Sequence, residues 1–198
     1  MKSYEIILAS YREEMNWLSY LPTKSKRDYT LTVSNSGGLK TFTNADRVLS
    51  VENACREAGH YLNFIIANYD NLHPVTVFLQ ADPWTHAASH IDELLALFFG
   101  KPTFEDPMRY LGATYSSYGL PLIKGFPFEQ IITKVWGGIE YPKSIPFSVG
   151  AQFYVTKEVI LRKPKEYYEE ILKEAKACQH SFAHLIEGHW GNIFVHSL

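Results

Sequence analysis

The 198-residue chain has only two cysteines, Cys55 and Cys178, far apart and outside any CxxC pair. That excludes a disulfide framework and a cysteine-built zinc site, and leaves buried, reduced thiols as the expectation. It has no excess of charge. With 19 basic and 21 acidic side chains the formal net charge is −2, which gives no global electrostatic reason to expect nucleic acid or an anionic membrane as partner. Long apolar runs are also missing: Leu94 to Phe99 is among the longest, far short of a bilayer span. No charged leader ahead of an apolar run and cleavage site precedes Glu5, so no signal peptide is expected. The expectation is a soluble, cytoplasmic protein without a transmembrane segment.

Several catalytic signatures are absent as well. GxxxxGK[ST] and GxGxxG do not occur, which disfavours a P-loop nucleotidase and a dinucleotide-dependent dehydrogenase. Without GxSxG there is no hydrolase elbow, and without HExxH no zincin helix. His86 and His90 are four apart, as are His180 and His184, with Glu187 and His189 nearby. A zinc hydrolase built on those pairs is the most distant of three readings.

What the chain does have is aromatic side chains: 13 Tyr, 12 Phe and 4 Trp. Tyrosine outnumbering phenylalanine suggests rings that are half wet, as in a binding cleft. Hydrophobic residues make up 46%, enough for one well-buried domain of this length.

Residues 5–10 hold a continuous apolar run, Ile6 to Ala9, the pattern of a strand covered on both faces in a parallel sheet. Met15, Leu18 and Leu21 suggest a short helix over 12–21, and residues 28–35 alternate as a second strand stopped by Ser36-Gly37-Gly38. Val51, Ala54, Cys55, Ala58, Leu62, Ile65, Ile66 and Tyr69 recur at helical steps, with Ser50 placed to cap the helix. Residues 75–79 read as a third strand halted by Asp82-Pro83, and Ser89 with Asp92 as a capping box for a helix carrying Leu94 to Phe99. Six of the ten prolines fall in 100–146, predicting long loops of functional character. Residues 148–155 read as a strand. Thr156 is placed to cap a short helix, Pro164 to open a longer one, and a last helix covers 181–190.

Strands joined by helical crossovers imply a parallel, doubly wound α/β sheet, whose ligands bind beyond the carboxyl ends of the strands. Those ends are Ser10-Tyr11-Arg12, Asn35-Ser36 and Gln80-Ala81-Asp82. On the long helix, Asn53, Arg56, Glu57 and His60 share one polar face. That face is either a solvated Arg–Glu surface or lies over the crevice, where Arg56 would meet a phosphate. Asp82 suits a hard cation such as Mg²⁺ or Mn²⁺ held by one carboxylate plus substrate phosphates.

Taken together, these segments resemble one known pattern. It comprises residues 6–13 with Trp17-Leu18, Arg56-Glu57-Ala58, Tyr61-Leu62, Asn68 to Leu72, Phe78 to Pro83, Gly150 to Phe153 and Ala183 to Glu187. The chain is similar to a widespread family of glycosyltransferase-like proteins and to the small GT-A glycosyltransferase domains of large algal viruses. The resemblance implies a GT-A-like, Rossmann-type fold: a mixed, mainly parallel sheet flanked by helices. About 1–99 would be the nucleotide-sugar-binding half and about 100–198 a loop-rich acceptor half. It implies glycosyl transfer from a nucleoside-diphosphate sugar to a glycan or other hydroxyl acceptor. Ser10, Tyr11, Arg12, Asn35, Arg56, Glu57 and Gln80 would contact the nucleotide sugar, and Asp82 would hold Mn²⁺ or Mg²⁺.

The chain departs from the wider GT-A pattern at one point: Gln80-Ala81-Asp82 stands where that pattern has Asp-x-Asp. With one carboxylate missing, a catalytically degenerate domain that binds a nucleotide, glycan or partner is the second reading. An inverting transfer needs a carboxylate to deprotonate the acceptor hydroxyl. Glu187 in the last helix is the first candidate, against a plain solvent-facing role; Asp106, Glu129 and Glu140 compete with it. Rings from Trp84 to Trp136, among them Phe98, Phe99, Phe104, Tyr110, Tyr115, Tyr118, Phe126 and Phe128, would line a sugar cleft beside Asp82. Trp84, Trp136 and Trp190 would stack on sugars, with core packing as the alternative.

Overall fold

A computed structural model of the chain describes residues 2–38, 40–87, 89–118, 144–178 and 180–195. Glu129, Trp136, Glu140 and the rings of Tyr118, Phe126, Phe128 and Phe182 lie outside what it describes. In chain order the strands are β1 (Tyr4–Ser10), β2 (Tyr29–Asn35), β3 (Arg47–Ser50), β4 (Val75–Gln80), β5 (Met108–Tyr110), β6 (Thr114–Tyr118), β7 (Ser144–Ser148) and β8 (Phe153–Thr156). The helices are α1 (Arg56–Asn68), α2 (Ile91–Phe99), α3 (Lys157–Ile160), α4 (Lys165–Cys178), α5 (His180–Glu187) and α6 (Trp190–Val195).

Six strands form one mixed, mainly parallel sheet in the order β3-β2-β1-β4-β8-β5; β6 and β7 pair separately. The first four of that order run parallel, while β8 is antiparallel to both of its neighbours. All seven residues of β1 are buried, as a central strand covered on both faces requires. Its one charge, Glu5, receives the Thr32 hydroxyl at 2.5 Å and the Arg47 guanidinium, so the buried carboxylate is partnered.

Alternation along the strands divides the core. Ile7, Ala9, Phe78, Phe153 and Val155 face α1, α4, α5 and α6 on one side. Ile6, Leu8, Leu31, Val33, Val77 and Leu79 face α2 and the 3₁₀ turn Asn16–Tyr20 on the other. Helices thus cover both faces of the sheet. No helix among the described residues is long and apolar enough to cross a membrane.

Several boundaries differ from the sequence-based expectation. Ser50 does not cap the long helix; it ends the edge strand β3, whose ladder continues as Val51 N–H donates to Asn35 O. Helix α1 starts only at Arg56, because Cys55 and Arg56 both take left-handed backbone angles (φ 60° and 50°) that interrupt the apolar periodicity. Asn53 therefore precedes the helix. The shared outward face is also corrected: His60 is buried, with Nδ1 2.9 Å from Ser34 Oγ and Nε2 3.2 Å from Ser36 Oγ.

The capping box before α2 does not form. Ser89 Oγ pairs with His90 Nδ1 at 2.9 Å, and His90 occupies the cap position. Residues 12–21 hold a 3₁₀ turn in place of an α-helix. The expected strand over 148–155 is broken at Val149-Gly150-Ala151, which separates β7 from β8, and the last helix is split into α5 and α6.

The strand order places a switch point between β1 and β4. From β1 the chain steps to β2 and β3 on one side, then returns through α1 to β4 on the other. The loops that leave β1 and β4 meet at the carboxyl edge of the sheet, where Trp17 Nε1–H donates to Ala81 O at 3.0 Å; ligands of open α/β sheets bind at this edge.

Candidate functional site

The loop leaving β1 is shaped by Glu13, which the sequence reading did not single out as a site residue. Its Oε2 accepts Tyr11 N–H at 2.6 Å, Arg12 N–H at 3.1 Å and the Ser10 hydroxyl at 3.5 Å. The three-residue spacing from Ser10 to Glu13 is the signal that would have revealed it. Ser10 is buried, while Arg12 is exposed with its guanidinium 4.7 Å over the Tyr11 ring. A stacked but solvent-facing guanidinium is an available partner for an anion.

Asn35, at the end of β2, is buried and turned inward. Its Oδ1 accepts Gly37 N–H at 3.2 Å and its Nδ2 donates to Gly38 O. The loop so formed closes onto the β1 loop: a Cβ on Gly37 would come within 1.3 Å of the Tyr11 carbonyl oxygen. Only glycine permits that approach. Asn35 therefore builds the rim of the crevice.

Gln80 and Glu57 meet directly. Gln80 Nε2 donates to Glu57 Oε1 at 2.9 Å, tying the end of β4 to the first turn of α1, where the helix dipole favours a carboxylate. Arg56, one residue earlier, is exposed. One turn deeper, at the i+4 position from Glu57, sits Tyr61, which the sequence reading named only within the resemblance pattern. It is completely buried, and its hydroxyl has no hydrogen-bond partner among the described residues. Burial pushes its phenol well up from the ordinary range, and the negative charges of Glu57 and Glu187 push it further.

Glu187 is held, and half-buried. Its Oε1 accepts Gly150 N–H at 2.6 Å, and its Oε2 lies 3.5 Å from His184 Nδ1. Gly150 has φ +83°, and a Cβ there would press within 2.9 Å of the His86 ring. Because Phe153 pairs with Phe78, this turn stands at the carboxyl edge beside β4. Gln152, just after it, donates Nε2–H to Pro83 O at 3.0 Å. Glu57 and Glu187 thus both act electrostatically on the buried Tyr61 hydroxyl, and Gln80 is bonded to Glu57.

Asp82 itself is exposed, its Oδ2 accepting the Thr85 hydroxyl at 2.7 Å. Among the described residues no group of three or more His, Cys, Asp or Glu gathers to hold a metal ion. A cation at Asp82 would therefore draw one carboxylate from that residue and would need oxygens from outside the chain to complete its shell.

Asp106 is corrected as a competitor for Glu187. Its N–H lies 3.3 Å from Tyr154 Oη, and the following Pro107 carbonyl accepts Thr156 N–H, so it sits at the amino edge of the sheet. Several rings are core as well. Trp84 packs against Trp17 and Phe98 at 5.8 Å each, and Trp17 Nε1–H is bound to Ala81 O. Trp190 is fully buried among Tyr61, Phe153 and Phe194. Tyr115 is 55% exposed.

A groove of about 610 Å³ opens on the carboxyl edge between the β1 and β2 loops, lined by Glu13, Asn16, Lys40 and Phe42 among others. Arg56, Asp82 and Glu187 are not among its walls.

Residues 6–97 match the model of a family described as "Protein of unknown function (DUF3431)". That stretch begins in β1 and ends in α2, so it takes in β2, β3, β4 and most of β1, together with Arg12, Arg56, Glu57, Gln80 and Asp82. No protein of curated function matches the chain. No solved structure matches it either.

Proposed function

We propose that the chain is a nucleotide-sugar-dependent glycosyltransferase of GT-A-like architecture. One observation carries the reading: the strand order reverses between β1 and β4, with the Arg12 loop, the Arg56-Glu57 turn and the Gln80-Ala81-Asp82 end all at the carboxyl edge of the sheet. Open α/β sheets bind nucleotides at such a point. The resemblance of the sequence to glycosyltransferase-like proteins supplies the substrate class.

In this reading Arg12 and Arg56, both exposed, attract the diphosphate of the donor and offset the charge that grows on it as the sugar leaves. A divalent cation held by Asp82 and the phosphates would add Lewis-acid neutralisation of that same charge. Glu187 takes the proton from the acceptor hydroxyl as its oxygen bonds to the sugar and the sugar–phosphate bond breaks. The Gly150 N–H bond to Oε1 fixes the carboxylate and leaves Oε2 toward His184.

One observation favours the second reading, binding without transfer. Gln80 stands where the wider GT-A pattern has a carboxylate, and its amide is engaged by Glu57.

The test is nucleoside-diphosphate release from a panel of nucleotide sugars with Mn²⁺ or Mg²⁺, using wild type, Asp82→Ala and Glu187→Gln. Release that both substitutions lower at least tenfold supports transfer. Binding of a nucleotide without release from any donor supports the second reading, and neither binding nor release contradicts both.

A further inference from the structure

We propose that the amino edge of the sheet carries a second binding site, for a small molecule with a flat apolar body and one carboxylate or phosphate group. The site is a cavity of about 540 Å³ between the starts of β1 and β2 and the end of α2. That volume is within the range of about 300–1,000 Å³ usual for small-molecule pockets. Seven residues of β1 separate it from the Arg12 crevice, roughly 20 Å at strand rise, so it does not overlap the nucleotide site proposed above.

Its apolar walls are pre-organised. Tyr4 Oη donates to Leu97 O at 2.6 Å and Tyr29 Oη to Phe98 O at 3.2 Å. With both hydroxyls occupied by carbonyls near the end of α2, the two rings stand fixed 5.5 Å apart, and Phe104 packs edge-on at 5.2 Å from Tyr4. Rigid rings accept a flat ligand at low entropic cost.

The charge of the walls is net positive. Lys26, Arg27 and Lys101 line the cavity against one acidic wall residue, Asp28, whose carboxylate is held by the Ser3 hydroxyl. Arg27 carries the specificity. Its side chain is 1% exposed, and only Nη2 is used, by Asn44 O and the Asp46 carboxylate. Nε and Nη1 are buried with no hydrogen-bond partner among the described residues. Tyr29 covers one face of the guanidinium, 5.0 Å from ring centroid to carbon. A buried guanidinium with idle donors at a cavity wall is the complement of an oxyanion.

The experiment is amide chemical-shift titration of the full chain with benzoate, phenyl phosphate and the uncharged benzamide. The expected result is saturable shifts over residues 26–29 and 97–104 with at least one of the two anions, binding at least tenfold tighter than benzamide. Lys101 is exposed, so Lys101→Glu should fold and should weaken the anion at least threefold. Arg27→Gln should abolish the preference for anion over benzamide, and Lys101→Glu decides alone if that variant does not fold. The proposal is overturned if neither anion gives saturable shifts by about 1 mM, the weak end of specific binding. Equal binding of benzamide, or no effect of Lys101→Glu, overturns it too.

Discussion

Gln80 Nε2 and Glu57 Oε1 are 2.9 Å apart, a direct bond between the end of β4 and the first turn of α1. It joins two elements at the carboxyl edge of the sheet, and under the proposed function it holds the amide at the position where the wider GT-A pattern has its first aspartate. Gln80→Ala should therefore lower stability by about 1 kcal/mol, the net worth of a partly buried hydrogen bond. Gln80→Asp places a second carboxylate two residues from Asp82. Under the proposed function it should tighten Mn²⁺ binding, read by calorimetry, while losing the bond to Glu57. Unchanged Mn²⁺ affinity in Gln80→Asp would remove this strand end from any metal site.

Tyr61→Phe should stabilise the protein. The buried Tyr61 hydroxyl lacks a partner among the described residues, and an unpaired buried hydroxyl costs about 1–3 kcal/mol. The ring contacts with Phe78 at 4.8 Å and Trp190 at 5.7 Å survive the change. Urea unfolding checks it: a midpoint lower than wild type would mean that the hydroxyl is bonded.

His60 makes stability fall in mild acid. Burial depresses its imidazole from the ordinary 6.5 to about 4, against smaller raising effects from Ser34 and Glu13. Above pH 6.5 both folded and unfolded forms are neutral. Between 6.5 and 4 the unfolded chain takes up a proton that the folded chain refuses, so stability declines by up to about 3 kcal/mol across that window. His189 is depressed in the same direction, by burial. His60→Gln should flatten part of the decline between pH 7 and pH 4.5. Identical slopes for variant and wild type would contradict this assignment.

Glu187 has a structural duty and a proposed chemical one, and two substitutions separate them. Glu187→Gln keeps an acceptor for Gly150 N–H and should fold with stability within about 1 kcal/mol of wild type, while transfer is lost. Glu187→Ala frees the Gly150 turn and should cost about 1.5–3 kcal/mol, the value of a charge-assisted hydrogen bond. Full activity in a folded Glu187→Gln protein would end its candidacy as the base.

Much of the central sheet was legible in the sequence because fully buried strands leave apolar runs, as in Ile6 to Ala9 and Val77 to Leu79. Edge strand β3 was not, since Arg47-Val48-Leu49-Ser50 is largely exposed and shows neither run nor alternation. The start of α1 was hidden because Val51, Ala54 and Cys55 keep helical spacing through a left-handed turn that no glycine or proline marks. His60 was misplaced because nothing local announces that two serines of another element will satisfy a buried imidazole. Among the candidate site residues, Arg12 and Asp82 follow from strand ends alone. The Gln80–Glu57 bond and the Glu187–Gly150 bond join segments 23 and 37 residues apart, a separation that only the folded chain closes.

The most direct test of the proposed function is thermal unfolding of the wild-type chain against uridine and guanosine diphosphates, each with and without Mn²⁺. A ligand present at one hundred times its dissociation constant adds about 2.7 kcal/mol to the folded state, which at this chain length raises Tm by about 5–10 °C. The account predicts a rise of that order with at least one nucleotide, larger with Mn²⁺, and an Mn²⁺-dependent part that disappears in Asp82→Ala. A Tm that stays flat across every nucleotide and metal combination would contradict it.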